Sequence, residues 1–432
     1  MEARGRLCGV VLLAFALSAP GVGVAGAADS TALKVASHVD LGGTGGHVAV
    51  VAAGTTAVVA SMSPSDCGDG TVTAVDVKDP HHPHVLSTGP APVEGQVVGV
   101  AAEGDLVAVA GAGCGGSGRR VAYERAGQVL GTTARADSPR AIALDTRADG
   151  HVLSATVWGG AGSSVEVVDA TNPAAPVTVG FWGPPQPAAA PGCVRRPEVI
   201  DATFHDRGRR VLALLDDGHL YDLALPAPPE VLMTVAADLP PPSSGAGGAT
   251  NVAVLPLADR TVALVSEECT GGPHAMRIVD LDAAAGGGGG ATSESVQAPP
   301  PAAPGKIVAS GDYAFVAWRE AGLRVVDLGA EHPQTVFQFA PAGADIVGVA
   351  LLPESILALD RNAGLYVLER PKEGGKESVW YNVKLLAATF GLAGMVLLIA
   401  VPRVYMAWSM ARRRARGGAG GPAPERVGRG GN

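Results

Sequence analysis

The pattern of hydrophobic and polar positions along the chain predicts many short β-strands. Runs of residues rich in Val and Ala alternate with breaks that contain Gly, Pro or Asp, as in residues 46–53 and 56–62. Two late segments, 313–327 and 355–369, align without a gap. Each has an apolar strand, a four-residue turn that ends in Gly, and a second strand that ends in an acidic residue. This alignment indicates an internal repeat.

The strand that ends in an acidic residue recurs along the chain and defines the period of the repeat. The acidic residues lie at positions 76, 124, 169, 222, 280, 327 and 369, and the version at Glu124 is the weakest. The successive intervals are 48, 45, 53, 58, 47 and 42 residues, which is the length of a four-stranded propeller blade. We therefore predict an all-β, seven-bladed β-propeller within residues 28–370.

The string Gly-Leu-Arg-Val-Val-Asp at residues 322–327 resembles the LVIVD repeat, whose members are β-propellers found on exported proteins. The resemblance covers about residues 45–370 and is strongest in the sixth and seventh units. It implies the blade fold. It implies no catalytic residue, because the repeat motif contains none and the function of the family is poorly defined.

The seventh unit lacks a fourth strand, because Arg-Pro-Lys-Glu-Gly-Gly follows Glu369 directly. A strand-like stretch, residues 33–41, precedes the first unit. We expect residues 33–41 to complete the last blade, which would cover an exposed edge and join the two ends of the ring.

The acidic residue at each strand end has a structural interpretation. An Asp that leaves a strand accepts hydrogen bonds from turn amides two residues further on. Because a role repeated in every unit is seldom catalytic, we predict that these residues cap the blade turns. The predicted caps are Asp76, Asp169, Asp222, Asp280, Asp327 and Glu369.

Both ends of the chain carry targeting patterns. Residues 1–27 combine Arg4 and Arg6 with a short apolar stretch and small residues at 25–27, which is typical of a secretory signal peptide. Residues 385–401 are uncharged and are flanked on both sides by Trp and Tyr, so we predict a transmembrane helix over residues 380–408. Residues 371–379 would then form a short stalk.

The distribution of charge orients this predicted anchor. Seven arginines and one glutamate follow Val401, so the positive-inside rule places residues 409–432 in the cytoplasm as a basic, disordered tail. The signal segment has two arginines and one glutamate. The net charge of the whole chain is −9, so the residues between the signal segment and the end of the apolar run carry a net charge of −16. This acidic part would lie at the cell surface or in the secretory-pathway lumen, and its charge argues against a nucleic-acid partner.

Four cysteines fall within the predicted external part. An even number in an exported domain suggests two disulfides, for which three connectivities are possible. On the blade map, Cys67, Cys114 and Cys269 lie between second and third strands, and Cys193 precedes the first strand of the fourth unit. Pairing Cys67 with Cys114, and Cys193 with Cys269, would link blades. Four free thiols are the alternative.

Composition shows how such blades must pack. Glycine accounts for 60 residues, and it weakens helix interiors by about 1 kcal/mol each, which argues against a helix-rich fold. Aromatic residues make up only 4% of the chain, whereas apolar residues make up 47%. The ring must therefore pack mainly through Val, Ala and Leu.

Candidate chemistry is sparse. His81, His82 and His84 could together ligate a transition metal, but a polar blade turn is the favoured interpretation because no acid or Cys completes a defined site. Residues 111–116 match G-x-G-x-x-G in a hairpin and not between a strand and a helix, so no dinucleotide site is predicted. We predict no catalytic residue and no cofactor.

These features favour a membrane-anchored propeller that is not an enzyme and that binds another protein or a surface ligand. One alternative is a hydrolase or lactonase-like enzyme with a metal in the central channel, because propellers host both functions. A second alternative is an accessory subunit of a membrane complex, since small residues such as Gly391 and Gly394 could contact another helix in the lipid bilayer.

Overall fold

The computed structural model of the protein describes residues 31–371 apart from several short gaps. The gaps are residues 43–45, 64, 66–67, 114–119, 161, 186–196, 229, 240–247, 269–273, 286–292, 299–301 and 303–304. The predicted signal peptide, stalk, transmembrane helix and tail lie outside the described residues, apart from Pro371 at the start of the stalk. Among the residues described, no helix is both long enough and apolar enough to span a bilayer.

Seven sheets form the blades. In each blade, four strands follow one another from the inner strand at the centre of the ring to the outer strand at its circumference. The chain starts with β1 (Thr31–Ala32) and β2 (Val35–Val39). Blade 1 contains β3 (His47–Ala53), β4 (Thr56–Ser61), β5 (Thr71–Asp76) and β6 (His84–Pro90). Blade 2 contains β7 (Gln96–Glu103), β8 (Leu106–Ala112), β9 (Arg120–Arg125) and β10 (Gln128–Ala134). Blade 3 contains β11 (Ser138–Thr146), β12 (Val152–Gly159), β13 (Ser164–Asp169) and β14 (Val177–Trp182).

The other four blades follow the same order. Blade 4 contains β15 (Val199–His205), β16 (Arg210–Leu215), β17 (Leu220–Ala224) and β18 (Thr234–Leu239). Blade 5 contains β19 (Gly248–Pro256), β20 (Thr261–Glu268), β21 (Ala275–Asp280), the short helix α1 (Leu281–Ala285) and β22 (Ser293–Gln297). Blade 6 contains β23 (Ile307–Ser310), β24 (Tyr313–Ala317), β25 (Leu323–Asp327) and β26 (Gln334–Phe339). Blade 7 contains β27 (Ile346–Leu351), β28 (Ser355–Asp360), β29 (Gly364–Glu369) and, as its outer strand, β2.

The inner strands make the ring. Each inner strand contacts the inner strands of both neighbouring blades, and β27 of blade 7 contacts β3 of blade 1. The all-β, seven-bladed propeller predicted from the repeat is therefore confirmed.

The N-terminal strands tie the two ends of the ring together. β2 pairs antiparallel with β29, with Val39 opposite Leu365. β1 goes further, because it pairs in parallel with β26 of the preceding blade. The amide of Leu33, between these two strands, donates to the carbonyl oxygen of Gln338 at 2.8 Å. The start of the chain thus joins blades 6 and 7.

The hydrophobic core of the described residues consists of seven clusters, and each lies at a junction between neighbouring blades. We number a junction by its two blades, so that junction 1/2 lies between blades 1 and 2. Val, Ala and Leu dominate the clusters, and Trp158, Trp318 and Tyr123 are the largest fully buried side chains of the described residues. Small, branched side chains suit this position, because the pleated faces of adjacent blades approach closely.

Candidate functional site

Four of the six predicted acidic caps accept a hydrogen bond from the backbone amide two residues further on. The acceptors are Asp76, Asp169, Asp280 and Asp327, at distances of 2.9–3.0 Å. Each lies at the last position of the third strand of its blade. There the chain turns toward the outer strand, and the carboxylate satisfies an amide that the sheet leaves free.

The other two acidic residues have different partners. Asp222 lies two residues before the end of β17, so it does not meet the turn. Its carboxylate instead accepts from His205 Nε2 at 2.8 Å and from Arg210 at 2.5 Å. Burial opposes the ionisation of Asp222, but these two partners outweigh it and lower the pKa of Asp222. Glu369 forms an ion pair with Lys34, because a strand from the N-terminus and not a turn lies beside it.

Of the three clustered histidines, His81 and His82 lie in the turn between β5 and β6, and His84 is the first residue of β6. The carboxylate of Asp79 accepts from the amide of His81 at 3.0 Å and from His82 Nδ1 at 2.9 Å, and these bonds lower the pKa of Asp79. His84 Nε2 is 4.0 Å from Asp76. In the described ranges, no three side chains of His, Cys, Asp or Glu are grouped so that they could hold a metal ion. The cysteines Cys67, Cys114, Cys193 and Cys269 lie outside the described residues.

A buried polar network crosses three inner strands. Asp201 Oδ2 accepts from the side-chain amide of Asn251 and, at 2.9 Å, from the backbone amide of Val252. Asn251 Oδ1 in turn accepts from the amide of Ile307 at 2.8 Å. The network joins blades 4, 5 and 6. Asp201 and Asn251 both follow a β-bulge near the start of their strands.

The electrostatics of this network favour a neutral acid. Burial raises the pKa of Asp201, and the positive charge of the exposed Lys306 and the three donated hydrogen bonds oppose that rise only in part. The sequence analysis missed Asp201. The sequence feature that could have revealed it is a polar residue at the same position of two successive inner strands, Asp201 in β15 and Asn251 in β19. The arrangement holds neighbouring blades together.

Two further polar contacts lie on the side where the inner strands begin, one between blades and one within blade 1. Asp345 accepts from Arg319 Nε at 2.5 Å and lies 3.0 Å from Arg361 Nε, which links blades 6 and 7. His47 Nδ1 lies 2.7 Å from Ser61 Oγ, and both side chains are buried. Burial lowers the pKa of His47, so its imidazole is neutral near neutral pH.

A band of exposed hydrophobic side chains follows the outer strands of blades 1 to 4, and we call it the outer rim. It consists of Val85, Leu86, Val129, Val177, Val231, Leu232 and Val235, which are 42–68% exposed. Among the described residues, the outer strands of blades 5 and 6 expose no large hydrophobic side chain to this extent. Val35 on the outer strand of blade 7 is 43% exposed as well, so the exposed hydrophobic side chains of the described residues leave out the outer strands of blades 5 and 6.

Comparisons with known proteins agree with the architecture. The LVIVD repeat family matches residues 304–330, which extend through β25 of blade 6. No curated protein matches the sequence.

Several solved structures share the fold at low sequence identity. Hydrazine synthase of Kuenenia stuttgartiensis is 13% identical with a TM-score of 0.52, over 77% of this chain and 98% of that one. The propeller domain of Cps50 (Swd1) from Myceliophteria thermophila is 13% identical with a TM-score of 0.54, over 78% and 100%. The computationally designed Ika8 protein is 11% identical with a TM-score of 0.50, over 78% and 100%. At these identities the likeness concerns the fold alone. The chain is thus a seven-bladed β-propeller whose blade 6 matches the LVIVD repeat.

Proposed function

We propose that the protein is a membrane-anchored, extracytoplasmic binding module whose propeller recognises another protein or a surface ligand. The observation that carries this proposal is the outer rim. Exposed large apolar side chains favour an interaction site, because water is released when a partner covers them. Leu232 is 68% exposed and Val177 is 60% exposed, so a partner would bury most of each side chain.

Because the outer rim occupies some blades and not others, it favours binding of a specific partner over nonspecific hydrophobic association. A uniformly apolar circumference would promote aggregation, whereas an apolar band on some blades and a polar surface on others defines one docking direction. Burial of apolar surface contributes about 25 cal/mol per Å² before the free-energy cost of association is subtracted, so each such side chain that a partner covers favours binding.

The sequence supports the cellular part of the proposal. A signal peptide at residues 1–27 would export the propeller, and a helix over residues 380–408 would anchor it in the lipid bilayer with the basic tail in the cytoplasm. In that compartment the external cysteines would form two disulfides.

A pull-down tests the proposal. The full-length protein in mild detergent is compared with a shorter chain that ends at Ser378 and with a full-length variant that carries Val177→Lys and Leu232→Lys. We expect a specific partner that the rim variant fails to recover. A matched control is Gln334→Lys, an exposed position on the outer strand of blade 6. The proposal would be overturned if neither the full-length protein nor the chain that ends at Ser378 recovered a specific partner and the purified protein contained metal.

A further inference from the structure

At six of the seven junctions, the core cluster contains a residue from the outer strand of one blade and a residue that precedes the outer strand of the next. These pairs are Leu130 with Ala170, Val179 with Met233, Leu239 with Leu281, Val296 with Leu328, Phe339 with Leu33, and Val39 with Val77. At these junctions, the segment that precedes the outer strand of one blade thus packs against the outer strand of the blade before it.

Junction 1/2 lacks this cover. Its cluster contains no residue of β6 and none of the segment before β10. The cause is local, because the third and fourth strands of blade 2 are joined only by Ala126 and Gly127, both with positive φ. Val85 and Leu86 on β6 are accordingly 42% and 53% exposed, and a Cβ added at Gly89 would meet no atom within 4 Å.

The propeller itself shows what such a junction can hold. At junction 3/4, an extended segment lies parallel to β14: Phe181 donates to Val231 O at 2.7 Å, and Met233 donates to Phe181 O at 3.0 Å. At junction 6/7, Leu33 donates in the same way to Gln338 O. Both Met233 and Leu33 are buried, so each segment places one side chain between two blades.

The pairing register identifies the equivalent position on blade 1. The outer strands of blades 1, 3 and 6 carry a bulge at the same place, and counting from it aligns Thr88 with Phe181 and Gln338. By this register, the backbone amide and carbonyl of Thr88 are directed away from β5, where an added strand would pair with them.

Glu124 distinguishes junction 1/2 chemically. It lies one residue before the end of β9, where the register places Leu223 in blade 4 and Leu368 in blade 7. Those two leucines belong to the same clusters as Met233 and Leu33, respectively. Glu124 follows Ala122 on the face of β9 that contributes to the junction 1/2 cluster.

Glu124 is 8% exposed, and its carboxyl group has no hydrogen-bond or ion-pair partner within the described part of the chain. Its cross-strand neighbours are Val107 and Val129. Burial raises the pKa of Glu124. A carboxyl group in a largely buried residue without a protein partner is stabilised when a donor reaches it.

We propose that the outer edge of blade 1 takes an extended segment of a partner protein, which pairs in parallel with β6 and directs a Lys or Arg side chain between blades 1 and 2 onto Glu124. The methylene groups of this side chain would fill the position that Leu33 and Met233 occupy elsewhere, and its charge would meet the carboxylate. This inference rests on the proposed function, since it names one docking site of the same binding module.

Two synthetic peptides serve as probes for the full-length protein in mild detergent. One copies residues 230–235, Glu-Val-Leu-Met-Thr-Val, and the other has Lys in place of Met. By fluorescence anisotropy, we expect the Lys peptide to bind at least ten-fold more tightly than the Met peptide. Glu124→Gln should weaken the Lys peptide at least ten-fold, and Glu124→Leu should reverse the preference. Glu294→Gln, an exposed position on the outer strand of blade 5, is the matched control.

Thr88→Pro tests the strand pairing separately. Proline is tolerated on an edge strand where the amide faces outward, so the variant should keep its thermal unfolding transition and lose both peptides. Equal affinity for the two peptides, no binding of the Lys peptide, or no effect of Glu124→Gln would overturn the inference. A change from dimer to monomer on Thr88→Pro would also overturn it, since the edge would then pair with a second copy.

The pull-down separates this inference from the proposed function. A partner that is recovered equally well by the wild-type chain and by Glu124→Gln would leave the binding function standing and refute this site. If the pull-down recovers no specific partner but the Lys peptide still binds, the docking site stands and the proposed function is refuted.

Discussion

Leu33 makes a sharp test of how the N-terminal segment closes the ring. Its side chain is 7% exposed and belongs to the junction 6/7 cluster with Phe339 and Leu368. Leu33→Ala removes most of this side chain and leaves the backbone hydrogen bond to Gln338 in place. Truncations of this kind lower the free energy of unfolding by about 2–4 kcal/mol, depending on how far the site collapses.

The expected change in melting temperature follows from the size of the propeller. The propeller lies within residues 31–371, and this length gives an unfolding entropy of about 0.7 kcal/mol/K near 60 °C, so Leu33→Ala should lower the Tm by about 3–6 °C. Deletion of residues 33–41 also removes Val39 from junction 7/1 and the whole of β2, and should lower the Tm by more than about 10 °C. Differential scanning calorimetry of the full-length protein in mild detergent measures both changes.

Val35→Ala is the matched control. Val35 lies on β2 close to Leu33 but is 43% exposed, so its truncation should change the Tm by less than about 1 °C. Equal shifts for the two substitutions would show that Leu33 contributes no more than a surface side chain. An unchanged Tm after deletion of residues 33–41 would refute closure of the ring by this segment.

Three further predictions test other contacts. Because burial raises the pKa of Asp201, the native state loses stability as the pH rises above the ordinary Asp value near 4; Asp201→Asn should flatten this slope in urea titrations at pH 4–8, and an unchanged slope would contradict it. Gly131→Ala places a Cβ 2.0 Å from Pro173 O and should cost about 2 kcal/mol or more, whereas Gly89→Ala should be nearly neutral; similar costs in urea titration would refute the difference in packing. Met233→Ala should cost about 2–4 kcal/mol by the same method, and a cost below about 0.5 kcal/mol would show that the junction 3/4 segment contributes little.

Strand-end patterns predicted the blades well because each blade is a local unit. Gly322 and Asp327 of the sixth unit recur as Gly364 and Glu369 in the seventh, because a tight turn requires the same chemistry wherever it occurs. Because the pattern is local, it also misassigns a residue whose partners lie elsewhere in the blade. Asp222 matched the pattern in sequence, but β17 continues for two residues beyond it, and its partners His205 and Arg210 come from neighbouring strands.

The candidate sites depend on register, which sequence patterns do not specify. Asp201 and Asn251 lie 50 residues apart and meet only because the inner strands of blades 4 and 5 are adjacent. The outer rim likewise combines side chains from four blades. No local pattern marks such residues as neighbours.

The sequence by itself determined the number of blades, the positions of most turns and the segment that closes the ring, because these depend on short-range hydrophobic alternation and turn chemistry. Only the tertiary structure decided that junction 1/2 is uncovered and that Glu124 faces it. In the sequence, Glu124 is one more acidic residue near a turn. Its isolation follows from a two-residue connection that is too short to reach blade 1 and from apolar neighbours on both adjacent strands.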